Sequence, residues 1–272
     1  MNIYLKINRI MIPKISFCIV LMTLFFASGA PASEQFPRFK VLAFYSTRVE
    51  GDHVRFAMDA IRFFKDLTEG DGFVFDTTST MDDLNDNKLK DYSVVMMIND
   101  FPHSQSQRDA FRRYMLNGGG WFGFHVAAYN DRDTKWPWLN EFLGCGTFYR
   151  NNWPPLPAKL IVDDTNHPVT RGLPASFISP CNEWYQWNPG PREKKNIKVL
   201  VTLSSENYPL GLKDIIYDGD FPVVWTNTDY RMIYMNMGHG GKIFGDATQD
   251  RLIISGLRWI VATDKKGNVF EK

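Results

Sequence analysis

The run Gly118-Gly-Gly-Trp-Phe-Gly-Phe-His-Val-Ala-Ala-Tyr129 constrains the fold more than any other stretch of the chain. It reads as a glycine turn, a short apolar strand over Gly120–Phe124, and then a histidine at the strand's end. A strand this continuously apolar is normally covered on both faces, the condition of a parallel sheet flanked by helices. In open α/β sheets, ligands bind beyond the carboxyl ends of the strands. His125 would stand at that rim, with a glycine before it and small residues after it, as a tight strand-to-helix elbow requires.

The flanking sequence agrees. Lys40–Tyr45 predicts a first strand. Apolar residues at Val54, Phe56, Ala57, Ala60, Ile61, Phe64 and Leu67 then predict a helix over Asp52–Leu67, with Asp52 as its N-cap. Gly70-Asp-Gly72 stops it, and Phe73–Thr77 and Val94–Ile98 read as two more strands. Ser104, with Gln107 three residues on, opens a helix to Asn117 through a capping box. Two successive β-α-β units predict an α/β fold with a doubly wound, mostly parallel sheet in one domain, residues 33–272. Further on, a short helix over Trp136–Leu143 closes at Gly144. Strands are expected at Ala158–Val162, Lys198–Leu203, Val223–Trp225 and Arg231–Met235, and a packing helix at Gln249–Val261.

Residues 1–32 read as a signal peptide. Lys6, Arg9 and Lys14 are followed by a 13-residue apolar core, Ile15–Ala27, and by the small-x-small site Ala30-Pro-Ala32. The apolar run is short for a membrane span. Cys18 lies inside that core and not beside the cleavage site, which argues against a lipoprotein. The mature chain is therefore expected to begin near Ser33 and to be exported, periplasmic. There Cys145 and Cys181 either pair or stay as buried thiols. A net charge of +1 gives no electrostatic reason to expect nucleic acid or an anionic membrane as partner. Aromatic content of 15%, with eight tryptophans, leans weakly toward carbohydrate, because Trp and Tyr stack on sugar rings.

Four residues are candidates for chemistry. His53 falls in the first turn of the first helix, where the bland alternative is a surface residue. His125 suits a general acid/base or a metal ligand better than acyl transfer; the alternative is a packed histidine with a backbone partner. Glu183, in Asn182-Glu-Trp-Tyr-Gln-Trp187, is a carboxylate among aromatics, either paired, raised in pKa, or simply exposed. His239 sits in the glycine loop Gly238-His-Gly-Gly241, where a turn role is the alternative. His103 and His167 are set aside as structural or solvated. No His-x-x-x-His or Cys-x-x-Cys spacing occurs. The four candidates together could nonetheless bind a divalent ion such as zinc or manganese, with His125 and His239 as the leading ligands. Gly118-Gly-Gly120 precedes a strand, whereas a dinucleotide fingerprint follows one, so no nucleotide site is indicated.

These motifs carry a family resemblance. The His-bearing loop after the first strand, Asn117-Gly-Gly-Gly-Trp-Phe-Gly-Phe-His125, Asn166-His-Pro-Val-Thr-Arg-Gly-Leu-Pro174, Asn182-Glu-Trp-Tyr185, Pro222-Val-Val-Trp225 and Asn236-Met-Gly-His239 stand in one order. In that order the chain resembles the ThuA-like (trehalose-utilisation) proteins from about Lys40 to Ala262. The resemblance implies a flavodoxin-like, class I glutamine amidotransferase-like fold and a site lined by His53, His125, Glu183 and His239. It also implies a place in sugar catabolism, near oxidoreductases that make keto-sugars. Phe124 and Val126 flank His125 where the family more commonly has Gly-Leu-His-Gly-Ala, which makes the pocket wall bulkier, so a different substrate is expected. His125 takes the place of the glutaminase cysteine, so glutamine hydrolysis is not expected. The leading expectation is an enzyme acting on a sugar or keto-glycoside as lyase, hydrolase or isomerase. Arg48, Asp100, Tyr129, Trp184, Tyr185 and Trp225 would bind the substrate, with Trp184, Tyr185 and Trp225 as sugar platforms. The alternatives are a non-catalytic carbohydrate-binding protein and a partner subunit of a sugar oxidoreductase; a homo-oligomer is left open.

Overall fold

The apolar strands read from the sequence all form, and they join one sheet. The structure, a computed structural model, describes residues 39–262. The expected signal peptide at 1–32 lies outside the described residues. In chain order the elements are β1 (Lys40–Phe44), α1 (Gly51–Asp71), β2 (Val74–Thr78), α2 (Asp86–Leu89), β3 (Val94–Met97), α3 (Gln105–Leu116), β4 (Gly120–Phe124) and α4 (Pro137–Leu143). They continue with β5 (Thr147–Asn151), β6 (Leu156–Val162), β7 (Ser176–Asn182), β8 (Tyr185–Asn188), β9 (Ile197–Leu203), β10 (Pro222–Asn227), β11 (Arg231–Met235) and α5 (Ala247–Ala262). None of the described helices is long and apolar enough to cross a membrane.

The nine-stranded sheet has the order β2-β1-β3-β4-β11-β10-β9-β6-β7. From β2 to β11 every pairing is parallel, the 2-1-3-4-5 order of a doubly wound flavodoxin-like sheet. From β11 to β7 every pairing is antiparallel. The pleat explains why so apolar a sheet is buried on both sides. Val41, Ala43, Phe122, Phe124, Ile233 and Met235 face one core, filled by Phe56, Phe64 of α1 and Leu252, Leu257 of α5. Leu42, Phe44, Trp121, Met232 and Tyr234 face the other, filled by Phe111 of α3 and Trp138, Phe142 of α4.

Local signals were read well where they are strong. The capping box at Ser104/Gln107 forms, and Gly144 closes α4 in the left-handed conformation, φ 69°. The N-cap of α1 is corrected: Glu50, not Asp52, accepts from the backbone N–H groups of Asp52 and His53. Helix α1 accordingly starts at Gly51. Strand β7 was not anticipated because Pro180 interrupts it; it is an edge strand, where a proline costs no ladder bond on the open side. The two-stranded ribbon of β5 and β8 was also missed, being short and set apart from the main sheet.

Candidate functional site

Strand direction brings the candidates to one rim. His53 follows β1 through the first turn of α1, His125 directly follows β4, and His239 follows β11. Two antiparallel steps restore direction each time, so β7 points the same way as β11, and Glu183, just past its end, joins the same rim. Ring centroids of His53 and His239 are 4.8 Å apart, His53 and His125 5.2 Å, and His125 and His239 5.8 Å. Glu183 Oε2 lies 3.5 Å from His125 Nε2 and 3.7 Å from His239 Nε2. Glu50 Oε2 adds a second carboxylate, 3.4 Å from His239 Nε2 and 3.9 Å from His53 Nδ1. The sequence reading, which gave both the cap and the interest of this loop to Asp52 and His53, did not pick out Glu50; only the fold turns its carboxylate to the histidines.

His125 is the most constrained of the group. It is fully buried, and its backbone is in the left-handed region at φ 38°. That conformation is the elbow anticipated from the small residues around it. A Cβ on Gly238 would come within 2.3 Å of His125 Cβ, so the glycine of the His239 loop is where the two segments pass. Tyr234 donates its hydroxyl to His125 O, and the Tyr185 ring lies 4.0 Å from the imidazole, centroid to centroid. Nδ1 lies 2.8 Å from the Asn236 carbonyl oxygen, which can only accept, and 2.9 Å from Asn236 Nδ2, which can only donate. Asn236 therefore meets either neutral tautomer of His125, while Nε2 faces the rim.

The amide residues form a frame that the sequence reading did not pick out. Asn236 accepts from Tyr185 N through Oδ1 at 2.7 Å, and its Nδ2 donates to Glu183 O at 3.3 Å. Asn182 donates to Asn236 O and accepts from His239 N at 3.0 Å. Asn99 donates to Ser46 O and His53 O, tying the end of β3 to the loop that carries His53. All three asparagines are fully buried. The available signal was their common place: each stands at or just past the carboxyl end of a strand.

Electrostatics follow from burial. Burial lowers His53 to about 4, with His125 and His239 adding repulsion. Burial likewise holds His125 well below the ordinary imidazole value, and His239 is lowered for the same reason, so all three rings are neutral near pH 7. Burial raises the Glu183 carboxyl, with Glu50 adding to it and His239 and His53 opposing. Among the described residues, His53 Nε2, His125 Nε2 and His239 Nδ1 are buried ring nitrogens without a hydrogen-bond partner. Two donor sets have atoms mutually within 4.8 Å: His53, His125 and Glu183, and Glu50, His53 and His239. His53 is common to both, whereas His125 and His239, the expected leading pair, fall in different sets.

The remaining sequence candidates divide. Trp184 and Trp225 are corrected: both are fully buried and cannot offer a face to a sugar. The indole of Trp184 donates to Leu156 O and that of Trp225 to Leu143 O, so each fills a core and satisfies its N–H there. Tyr185 is buried behind His125 and supports it. Tyr129 is half-open and packs on Phe148, with centroids 4.5 Å apart. Asp100 accepts from Phe101 N and pairs with His103 Nε2 at 2.8 Å, which occupies it locally. Arg48 is exposed on the loop before α1. His167 is buried against Trp259, and Cys145 and Cys181 are free thiols rather than a disulfide. Burial pushes the Cys145 thiol up, away from nucleophilic use.

His53, His125, His239 and Glu183 thus share the strand-end rim of a flavodoxin-like sheet, the edge at which open α/β sheets carry their sites. Comparison with known proteins gives the family. The ThuA model, trehalose utilisation, matches residues 40–260, and the chain belongs to that family. A protein named ThuA-like from Bacteroides uniformis is 54% identical over 88% of this chain and 98% of its own, with a TM-score of 0.84. Another, from Parabacteroides merdae, is 19% identical over 87% of this chain and 93% of its own, TM-score 0.61. The glutaminase domain of Trypanosoma brucei CTPS, 8% identical over 81% of this chain and 94% of its own, shares the fold at a TM-score of 0.50. No curated protein matched.

Proposed function

We propose that the chain is an exported enzyme of sugar catabolism that acts on a sugar or keto-glycoside through His53, His125, His239 and Glu183. One observation carries the reading. Three neutral imidazoles, each with a buried ring nitrogen that makes no hydrogen bond within the protein, converge on a carboxyl group whose pKa is raised. A folded protein gains nothing from leaving three such nitrogens unpaired. Perturbed groups gathered at a strand-end rim are the usual mark of acid/base or metal chemistry.

The donors fit a divalent ion. Neutral imidazole and carboxylate suit zinc or manganese, and the Asn236 carbonyl 2.8 Å from His125 Nδ1 is the usual outer support for an imidazole that binds an ion through Nε2. His53, His125 and Glu183, or His53, His239 and Glu50, would hold the ion, which would polarise a carbonyl or hydroxyl oxygen of the substrate. With the second set as ligands, the protein's own free groups account for proton movement. The neutral His125 imidazole accepts the proton next to a ketone, and the Glu183 carboxyl, kept protonated more readily than usual, donates to the departing glycosidic oxygen. Isomerisation and hydrolysis draw on the same groups.

The test is elemental analysis of the purified mature protein with a titration of divalent metals, repeated on the H125A/H239A double variant. About one equivalent of zinc or manganese, lost in the variant together with roughly 10³-fold or more of turnover on keto-glycosides, is the expected result. Retention of full turnover by the variant would end this reading. Sequencing the amino terminus of secreted protein checks export, with Ser33 as the expected first residue.

A further inference from the structure

All eight tryptophans of the chain lie among the described residues, and they divide seven to one. Trp121, Trp136, Trp138, Trp184, Trp187, Trp225 and Trp259 are each 8% exposed or less, whereas Trp153 is 40% exposed. Isolated exposed apolar residues are common and need no special role. Trp153 differs in where it is and in how it is held. It precedes β6, and because β6 runs opposite to β11 and β7, its amino end lies at the rim that carries the histidines. The Trp153 ring is 6.3 Å from that of His239 and perpendicular to it, at 89°.

The backbone of Trp153 is fixed on both sides. Its N–H donates to Asp214 O, and its carbonyl accepts from the N–H groups of Leu212 and Lys213. Asn152, fully buried, accepts from Trp184 N and donates to Pro154 O, bracketing Trp153 from within the protein. A large apolar side chain is thus presented to solvent on a segment whose backbone is hydrogen-bonded on both sides and anchored by the buried Asn152, beside a histidine of the site. Prior ordering of this kind lowers the entropy lost when a ligand docks.

We propose that Trp153 is the platform for a sugar ring at this site, its indole packing on the C–H face of a pyranose while the ring's oxygens face His239 and Glu183. The proposal rests on the sugar reading above and names the residue that selects a cyclic sugar. It replaces Trp184 and Trp225, which the same logic had selected from composition and motif but which the fold consumes as core.

The test uses the mature protein, as purified and with added zinc, and its W153A and W153F variants. The probes are trehalose, a methyl glucoside and their keto forms, with sorbitol as an open-chain control lacking a ring face. Binding is read by calorimetry, and iodide quenching of tryptophan fluorescence reports whether a bound probe covers an exposed indole. A cyclic probe should shield wild type from iodide, sorbitol should not, and the iodide-accessible emission should vanish in W153F. W153A should weaken binding about tenfold or more, while W153F, which keeps an aromatic face, should stay within roughly threefold. An unchanged melting temperature in both variants would show that an exposed side chain was removed without harm to the fold. Wild-type affinity in W153A would overturn the platform and leave the sugar reading standing. No binding of any cyclic probe to wild type would overturn the sugar reading and the platform with it.

Discussion

The two halves of the sheet are built differently and contribute differently to the rim. The parallel half, β2 to β11, supplies all three histidines, one after each of β1, β4 and β11. The antiparallel half supplies Glu183 past β7 and Trp153 before β6. In the parallel half every carboxyl end falls on one edge, so the segments leaving β1, β4 and β11 deliver three side chains to one place. In the antiparallel half carboxyl and amino ends alternate along that edge, and the adjacent β7 and β6 bring a carboxylate and an aromatic face. The comparison teaches a division of labour. The doubly wound frame gathers the three imidazoles, and the antiparallel strands bring the carboxyl group and the exposed indole beside them.

Three measurements would break or sharpen that division, beyond the metal and tryptophan tests above. The largest effect is expected from Glu183→Gln, which keeps the shape of the antiparallel half's contribution and removes its proton. Turnover should fall about 10²- to 10⁴-fold. Thermal stability should hold or rise, because ionising a buried carboxylate is unfavourable. Turnover near wild type would remove the antiparallel half from the chemistry.

Asn236→Ala comes next, since Asn236 joins the halves through Tyr185 N and Glu183 O. It should cost roughly 1–3 kcal/mol for each buried partner left unpaired and about 10- to 100-fold in metal affinity or activity. Denaturant unfolding and metal titration read the two separately. A stability loss with full metal affinity would mean that the frame serves folding only.

The smallest expected effect is the acid limb of stability. His53 at the rim and His167 in the turn between β6 and β7 are both lowered from 6.5 to about 4, chiefly by burial. The unfolded chain therefore takes up these protons first as pH falls. Stability is fully present above about pH 6.5, is lost progressively down to about pH 4, and stops changing there on their account. Each contributes roughly 3 kcal/mol at most across that window. His167→Phe should flatten part of this limb while leaving the pH profile of activity unchanged. A shifted activity profile would tie the turn to the site.

Much of this was legible in the chain because the signals are local. Gly120–Phe124 and Arg231–Met235 form strands with the bounds read from their apolar runs, and Ser104/Gln107 and Gly144 set helix ends by chemistry that acts within four residues. His53, His125, Glu183 and His239 were identifiable because titratable residues beside glycine turns and strand ends have few structural reasons to be there. The tryptophans were misjudged for the complementary reason. Trp153 and Trp184 look alike in sequence, each set among polar and aromatic neighbours, and nothing within a few residues says which will be covered.

What the sequence determined by itself is therefore the eight apolar strands of the main sheet, the helices α1, α3, α4 and α5, the doubly wound class, and the placing of the four candidates at strand ends. What only the tertiary structure decided is which of these meet and in what state. Pairing β7 and β6 onto the sheet brings Glu183 within 3.5 Å of His125 across 58 positions of chain, and buries Trp184 while leaving Trp153 open. It also sets His125 Nδ1 between the Asn236 carbonyl and the Asn236 side-chain amide, and makes His53, not His239, the member shared by both donor sets. Burial, hydrogen-bond partners and mutual distance depend on residues far apart in the chain, so no local pattern encodes them.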